Sequence, residues 1–375
     1  MSSSKMLRVG FVGAGAVNFG GAEGPWDHAS RLEQIPGVEV VGIADMDQDK
    51  AHKVLQARRA GQHAGIYSTC KIVSSVGELL SRCKPDAVIL GVPPFVRGSL
   101  QKGKDLELQV IGAGVHLFCE KPMSVDEPEN YAKYVDAINK MVNRTGVVLS
   151  VGYMFRYHSA FEKMKAMISA HGGNIMSVNA RYYCAYSELD HPFWWDVSKS
   201  GGPIVEQATH FADIIRFIAG EVKLESISTI CLRDQHPAGV LSKIPKNCEI
   251  NLEQDNKVPR ATVSTFRFEN GGVGSLTHTV ALQGRRYESA IEVQLDGLRL
   301  TLEEPYEPTC RLRIREAGND DEHVYTFENE DPYMKELETF IQAVKRKDTK
   351  QVKSTYADAA KSYLLTWAIR RAERT

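Results

Sequence analysis

The chain has 375 residues, 43% of them hydrophobic and 25% charged, with Lys+Arg 46 against Asp+Glu 47. That composition excludes long disorder, collagen-like repeats and coiled coil, and the length implies two or three domains with buried cores. A formal charge of -1 gives no electrostatic footprint for nucleic acid or an anionic membrane, so the expected partner is a small molecule. The strongest apolar run, residues 87–96, is interrupted by Gly91 and Pro93-Pro94 and falls short of the roughly 18–20 residues of a membrane span. Residues 1–9 are too polar and too short for a secretory signal. Seven cysteines (Cys70, Cys83, Cys119, Cys184, Cys231, Cys248 and Cys310) form no C-x-x-C pair and no zinc-spaced cluster. Reduced thiols, a cytoplasmic location and no metal site are expected.

From residue 7 to about 150, short apolar segments alternate with helical patterns. Strands are predicted at 7–12, 38–44, 66–67, 87–91, 115–119 and 147–151, and helices at 28–35, 49–60, 75–83, 99–112 and 128–141. Several of the strands are apolar throughout, as strands covered on both faces should be, and the alternation implies βαβ units with a parallel sheet. After a helix at 159–169 the texture changes to alternating segments at 175–186, 225–233, 261–269, 272–281, 289–303 and 311–315. Turn signals such as Glu269-Asn-Gly-Gly272 and Asp296-Gly297 separate them, which predicts an antiparallel sheet with one solvated face. Helices at 332–345 and 354–371 close the chain. The expected organisation is an α/β nucleotide-type domain over residues 1–150, followed by an α+β domain over 151–375.

Gly13-Ala-Gly15 sits directly after the first strand, where a dinucleotide fingerprint belongs. Gly13 suits a tight turn, Gly15 suits close approach of a pyrophosphate, and Ala16, Val17 and Asn18 continue the loop; Asn18 stands where a third glycine is usual. The second strand ends in Asp45, placed to accept the ribose hydroxyls of NAD. Such an acid is expected about 20 residues beyond the motif, and Asp45 lies 27 positions after Asn18 because residues 19–25 are inserted. That insertion reads either as a flexible surface loop or as a flap over the cofactor, with Asp27 capping the helix behind it. A carboxylate at Asp45 repels a 2′-phosphate, so NAD is expected in preference to NADP.

Two further motifs carry chemistry. Glu120-Lys121-Pro122 follows the fifth strand, which puts the lysine at a carboxyl strand end where ligands bind in open α/β sheets. Cys119, just before it, reads as packing. In Gly201-Gly-Pro-Ile-Val-Glu206-Gln-Ala-Thr-His210-Phe-Ala-Asp213, a helix read from about 205 to Gly220 spaces Glu206, His210 and Asp213 at i, i+4 and i+7, on one face. A histidine between two carboxylates reads as a general acid/base or as a buried structural histidine with ion-pair neighbours.

With these motifs, Ile89-Leu-Gly-Val-Pro93, Gly152-Tyr-Met-Phe-Arg156 and Trp195 through Gly201-Gly202, the chain resembles the Gfo/Idh/MocA oxidoreductase family over most of its length. The resemblance implies a Rossmann domain, then a domain with a large open, mostly antiparallel sheet that commonly joins subunits into homodimers or homotetramers. It implies hydride transfer between NAD(P) and a secondary alcohol or ketone of a sugar, polyol or cyclic hydroxy compound, across a cleft between the domains. Carried over by position, the catalytic lysine falls on Lys121 and the catalytic histidine on His210, with Glu206 and Asp213 as orienting or substrate-binding acids. Val92, Pro93 and Glu120 join the cofactor contacts, Arg97 is a candidate cofactor-side contact, Arg156 matches an arginine that often faces the substrate pocket, and Tyr153, Trp194 and Trp195 read either as aromatic walls of that pocket or as core. Two other roles found among relatives stay open: a non-catalytic dinucleotide-binding sensor, and a glycosidase that uses NAD transiently.

Overall fold

A computed structural model describes residues 6–21 and 26–374. Residues 1–5, read for a signal, and residues 22–25 of the insertion lie outside the described residues. The chain forms two compact units, Met1–Met154 with Tyr333–Ala359, and Phe155–Pro332 with Ala360–Thr375.

The first unit holds β1 (Leu7–Val12), β2 (Val38–Ala44), β3 (Lys71–Val73), β4 (Ala87–Leu90), β5 (His116–Cys119) and β6 (Leu149–Val151). They pair in parallel, in the order β3-β2-β1-β4-β5-β6. β4 is buried at every position, as a strand covered on both faces requires. The strand order reverses between β1 and β4, which makes the carboxyl ends of these strands the natural ligand crevice.

Three local expectations change. The strand read at 66–67 is a single tight turn, Ala64–Tyr67, because Tyr67 is fully buried and its hydroxyl donates to Glu33 Oε1 at 2.7 Å. The helix read at 75–83 is capped by Ser75, turns normally over Val76–Glu78, then widens over Leu79–Cys83, where Leu79 and Cys83 pack onto Gly42. The helix read at 99–112 starts only at Leu106, after two left-handed glycines, Gly98 and Gly103.

The chain also returns to this unit near its end. Helix Pro332–Arg346 places Leu337, Phe340, Ile341 and Val344 in one core with Val9, Phe11 and Phe118. The expected second domain of 151–375 is therefore not continuous, since this amphipathic helix finds its apolar partners on the first sheet.

The second unit carries β7 (Ile175–Ala185), β8 (Val222–Leu232), β9 (Ala261–Phe268), β10 (Val273–Leu282), β11 (Glu288–Leu295), β12 (Leu298–Glu303), β13 (Thr309–Glu316), β14 (His323–Glu328) and β15 (Glu373–Arg374). The order is β14-β13-β12-β11-β7-β10-β9-β8-β15, antiparallel except where β10 meets β7 and β15 meets β8. Val178, Ala180, Tyr182 and Cys184 of β7 point inward and are buried, and helix Thr209–Ala219 packs on this strand. The segment read as 289–303 is a hairpin, with Leu295 opposite Leu298 and Gly297 left-handed in the turn. β14 had no sequence signal because nearly all of its residues are exposed, so no apolar face marks it.

Candidate active site

The first unit gathers the glycine loop, Asp45 and Lys121 at the carboxyl edge of one sheet. Gly13 has φ +95°, and a Cβ there would stand 2.8 Å from Gly91 O and from Val92 Cγ1. Only glycine tolerates both the angle and the contact. At Gly15 a Cβ would meet only Lys50 Nζ, at 3.8 Å. The backbone there is open to a ligand, which is the cradle a pyrophosphate needs. Asp45 is partly exposed; its Oδ2 accepts from Ala14 N at 2.6 Å and its Oδ1 from Asp47 N at 2.8 Å. Two main-chain donors thus fix the carboxylate beside the loop. Ala16 and Val17 start the short helix Ala16–Phe19, and Val92 and Pro93 follow β4 with Pro93 exposed. These residues fit a dinucleotide.

Asn18 differs from its expected role as a cofactor contact. It is fully buried, and its Nδ2 donates to Val12 O at 3.0 Å and Gly13 O at 2.7 Å. The amide ties the end of β1 to the turn from inside, a strut in the place of the usual third glycine. Arg97 is likewise no cofactor-side residue: it is buried and paired with Glu107 at 2.7 Å.

Glu120 and Lys121 leave β5 together, and the Lys121-Pro122 peptide is cis. Glu120 Oε1 lies 2.7 Å from His28 Nε2, and Glu120 Oε2 accepts from Lys121 N at 3.2 Å. Burial pushes this carboxyl up, but the His28 hydrogen bond and charge, with Lys121, more than offset it and hold it below the usual range. Gly152 of the neighbouring segment makes room, since a Cβ there would come within 2.8 Å of both Glu120 oxygens. Cys119 is buried, its thiol pushed up to about 12 by desolvation, which suits packing and not nucleophilic chemistry. Tyr153 is buried at 1% exposure, so it packs in the core and does not form an open pocket wall.

In the second unit His210 sits near the start of helix Thr209–Ala219, mostly buried, with Phe155 and Tyr306 edge-on at ring distances of 5.7 and 6.2 Å. The single helix expected from about 205 is broken. Pro203–Glu206 is its own short helix, and Ala208 N reaches back to Pro203 O, so Glu206 leaves the face shared by His210 and Asp213. Gln207, at the break, turns inward to His278 Nε2 at 2.9 Å and Cys184 Sγ at 3.4 Å. Burial pushes the His278 imidazole down to about 3, so it is neutral. Glu206 instead accepts from Trp194 Nε1 at 3.0 Å, and Trp195 Nε1 donates to Leu189 O at 2.7 Å. Both indoles are buried and hydrogen-bonded inside the unit.

Asp213 and Arg156 are brought together, with a different meaning from the one expected. Arg156 Nε and Nη2 donate to the two Asp213 oxygens at 2.7 and 2.6 Å, and Ser362 Oγ donates to Oδ1 at 2.6 Å. Arg216 Nη1 in turn donates to Ser362 Oγ at 2.6 Å. The carboxylate that was to orient His210 and the guanidinium that was to face substrate neutralise each other in the core.

Sequence reasoning missed His28, Gln207, His278 and Ser362. His28 does stand directly after the capping Asp27, but nothing local marks its pairing with a residue 92 positions on. Among the described residues, no three His, Cys, Asp or Glu side chains are grouped to hold a metal ion.

Parallel strands in this order, a glycine turn after β1 and a carboxylate after β2 define a dinucleotide-binding domain of Rossmann type. The family model "Oxidoreductase family, NAD-binding Rossmann fold" matches residues 7–153, and an oxidoreductase C terminal domain matches residues 156–298. The chain belongs to the Gfo/Idh/MocA family and is an NAD(P)-dependent dehydrogenase/reductase. An uncharacterized protein of Schizosaccharomyces pombe, UNK4.17, is 36% identical over 98% of this chain and 91% of its own. The myo-inositol 2-dehydrogenase of Thermotoga maritima is 23% identical over 90% of this chain and 88% of its own. Among solved structures, KijD10, a 3-ketoreductase from Actinomadura kijaniata in complex with NADP and TDP-benzene, has the same fold at TM-score 0.74 and 17% identity, covering 99% of this chain and 98% of that one.

Proposed function

We propose that this enzyme exchanges a hydride with a secondary alcohol or ketone of a sugar, polyol or cyclic hydroxy compound, using Lys121 and His210 and preferring NAD(H). One observation carries the reading: Lys121 leaves the carboxyl end of β5 in the same sheet whose β1 and β2 ends carry Gly13, Gly15 and Asp45. Asp45 would hold the ribose hydroxyls, while Gly13 and Gly15 would admit the pyrophosphate. When bound, the dinucleotide supplies or accepts the hydride.

Lys121 donates a hydrogen bond from Nζ to the substrate oxygen and stabilises its developing alkoxide charge. A ring nitrogen of His210 takes the hydroxyl proton in oxidation and returns it in reduction, a task suited to imidazole near neutral pH. The names of two relatives, an inositol dehydrogenase and a 3-ketoreductase, support the substrate class. The fixed Asp45 carboxylate supports NAD, although that ketoreductase holds NADP. Seven free thiols support a cytoplasmic location. Ile230 and Val263, paired across β8 and β9 and exposed at 69% and 45%, support a homodimer or homotetramer formed through the open sheet.

The test is a panel of polyols, including myo-inositol, and keto-sugars, followed at the reduced-nicotinamide absorbance. His210→Ala is expected to bind NADH as the wild type does and to lose about 10²–10⁴-fold in turnover; unchanged turnover would remove His210 from the mechanism.

A further inference from the structure

We infer that Arg97 is a positioning residue for Lys121, acting through the main chain on either side of it. The inference deepens the proposed function and rests on Lys121 as the reacting lysine. The Arg97 side chain is fully buried. Its Nη2 donates to two carbonyls, those of Glu120 and, at 2.9 Å, of Pro122. Those residues immediately precede and follow Lys121. One guanidinium nitrogen therefore grips the chain at both flanks of a single residue.

The guanidinium is itself held. Nη1 donates to Glu107 Oε1 at 2.7 Å. The other oxygen of Glu107 takes Tyr134 OH at 2.8 Å and Gly98 N at 3.3 Å, all in the interior. Gly98 is left-handed at φ +73°, and a Cβ on it would fall 1.9 Å from Met123 O, so the Arg97 turn and the segment after Lys121 lie in direct contact. On the other side, the Lys121 amide is bonded to Glu120, which His28 holds in turn. The point from which the lysine side chain departs is thus fixed by a planar fork from one side and a carboxylate from the other.

A buried ion pair contributes little net stability, because desolvation offsets its attraction. What this pair does supply is geometry. Lysine at position 97 could keep a charge opposite Glu107, but its ammonium is a flexible point charge without the rigid plane that ties Glu107 through Nη1 while Nη2 holds both carbonyls. Displacements near 1 Å at a reacting group cost on the order of 100-fold in rate.

The experiment compares the wild type with Arg97→Lys, Lys121→Ala, the double variant of the two, and Tyr67→Phe. Tyr67→Phe loses a partly buried hydrogen bond elsewhere in the same unit and controls for destabilisation alone. The readouts are NADH affinity by fluorescence, kcat and KM with the best alcohol of the panel, and the thermal midpoint. Arg97→Lys is expected to lower kcat by about 10–100-fold while NADH affinity stays within about threefold, and Tyr67→Phe to keep its kcat. In the Lys121→Ala background, Arg97→Lys is expected to add nothing. A full further loss there would show that Arg97 acts otherwise and would overturn the inference. Wild-type kcat in Arg97→Lys, with Lys121→Ala impaired, would overturn the inference alone. Wild-type kcat in Lys121→Ala would overturn it together with the proposed function. If Arg97→Lys does not fold, Arg97→Met with Glu107→Leu replaces the pair by apolar groups and is expected to show the same fall in kcat.

Discussion

Replacing Asp213 by Leu would leave the Arg156 guanidinium, 4% exposed, without the carboxylate that takes both its Nε and its Nη2. Ser362 would lose the same acceptor while still receiving Arg216. Breaking one side of a buried ion pair costs about 3–5 kcal/mol, because the remaining charge is stranded without solvent. The loss belongs to the pair, so Arg156→Met combined with Asp213→Leu should recover much of it. Urea unfolding of the wild type, both single variants and the double variant completes a cycle, with an expected coupling of at least about 2 kcal/mol. A carboxylate that served to orient His210 would behave otherwise, with a fall in turnover and little change in stability. An unfolding loss below about 1 kcal/mol, or strictly additive variants, would refute the assignment of Asp213 to the core.

His278 should make the second unit acid-sensitive. Its native pKa near 3 lies below the ordinary 6.5, so the unfolded chain binds the extra proton first. The stability it contributes is complete above pH 6.5 and is lost as pH falls from there toward 3, about 2 kcal/mol by pH 5; unfolding midpoints that fall no faster for the wild type than for His278→Gln would contradict this. Asp45→Ala should weaken NADH binding by about 10–100-fold, from the loss of charge-assisted hydrogen bonds, and leave NADPH binding less affected. A wild-type preference for NADPH in the same fluorescence titration would overturn the reading of Asp45.

Much of the first unit could be read from the chain because its signals are local. β4 is an unbroken apolar run, Gly13 and Gly15 follow β1 directly, and Lys121 sits beside a proline that must end a strand. The site in the second unit was less legible. Spacing put Glu206, His210 and Asp213 on one helical face, but periodicity cannot register a break at Gln207, whose side chain reaches His278, 71 residues away. Nor could it show that Asp213 is claimed by Arg156 and Ser362, at separations of 57 and 149 residues. Charged residues at helical spacing announce a polar cluster, and only the tertiary partners decide whether that cluster reacts or is neutralised. Helix Pro332–Arg346 makes the same point for the fold, since its amphipathic pattern carries no address for the sheet it packs on.

The role proposed for Lys121 is that of the reacting lysine of an NAD(P)-dependent oxidoreductase. Its most direct measurement is the rate of NADH formation by the wild type and by Lys121→Ala on one active polyol, at saturating NAD and with cofactor affinity measured on the same samples. Matched affinities are expected, with a rate lower by about 10²–10⁴-fold in the variant. Matched affinities with equal rates would contradict it.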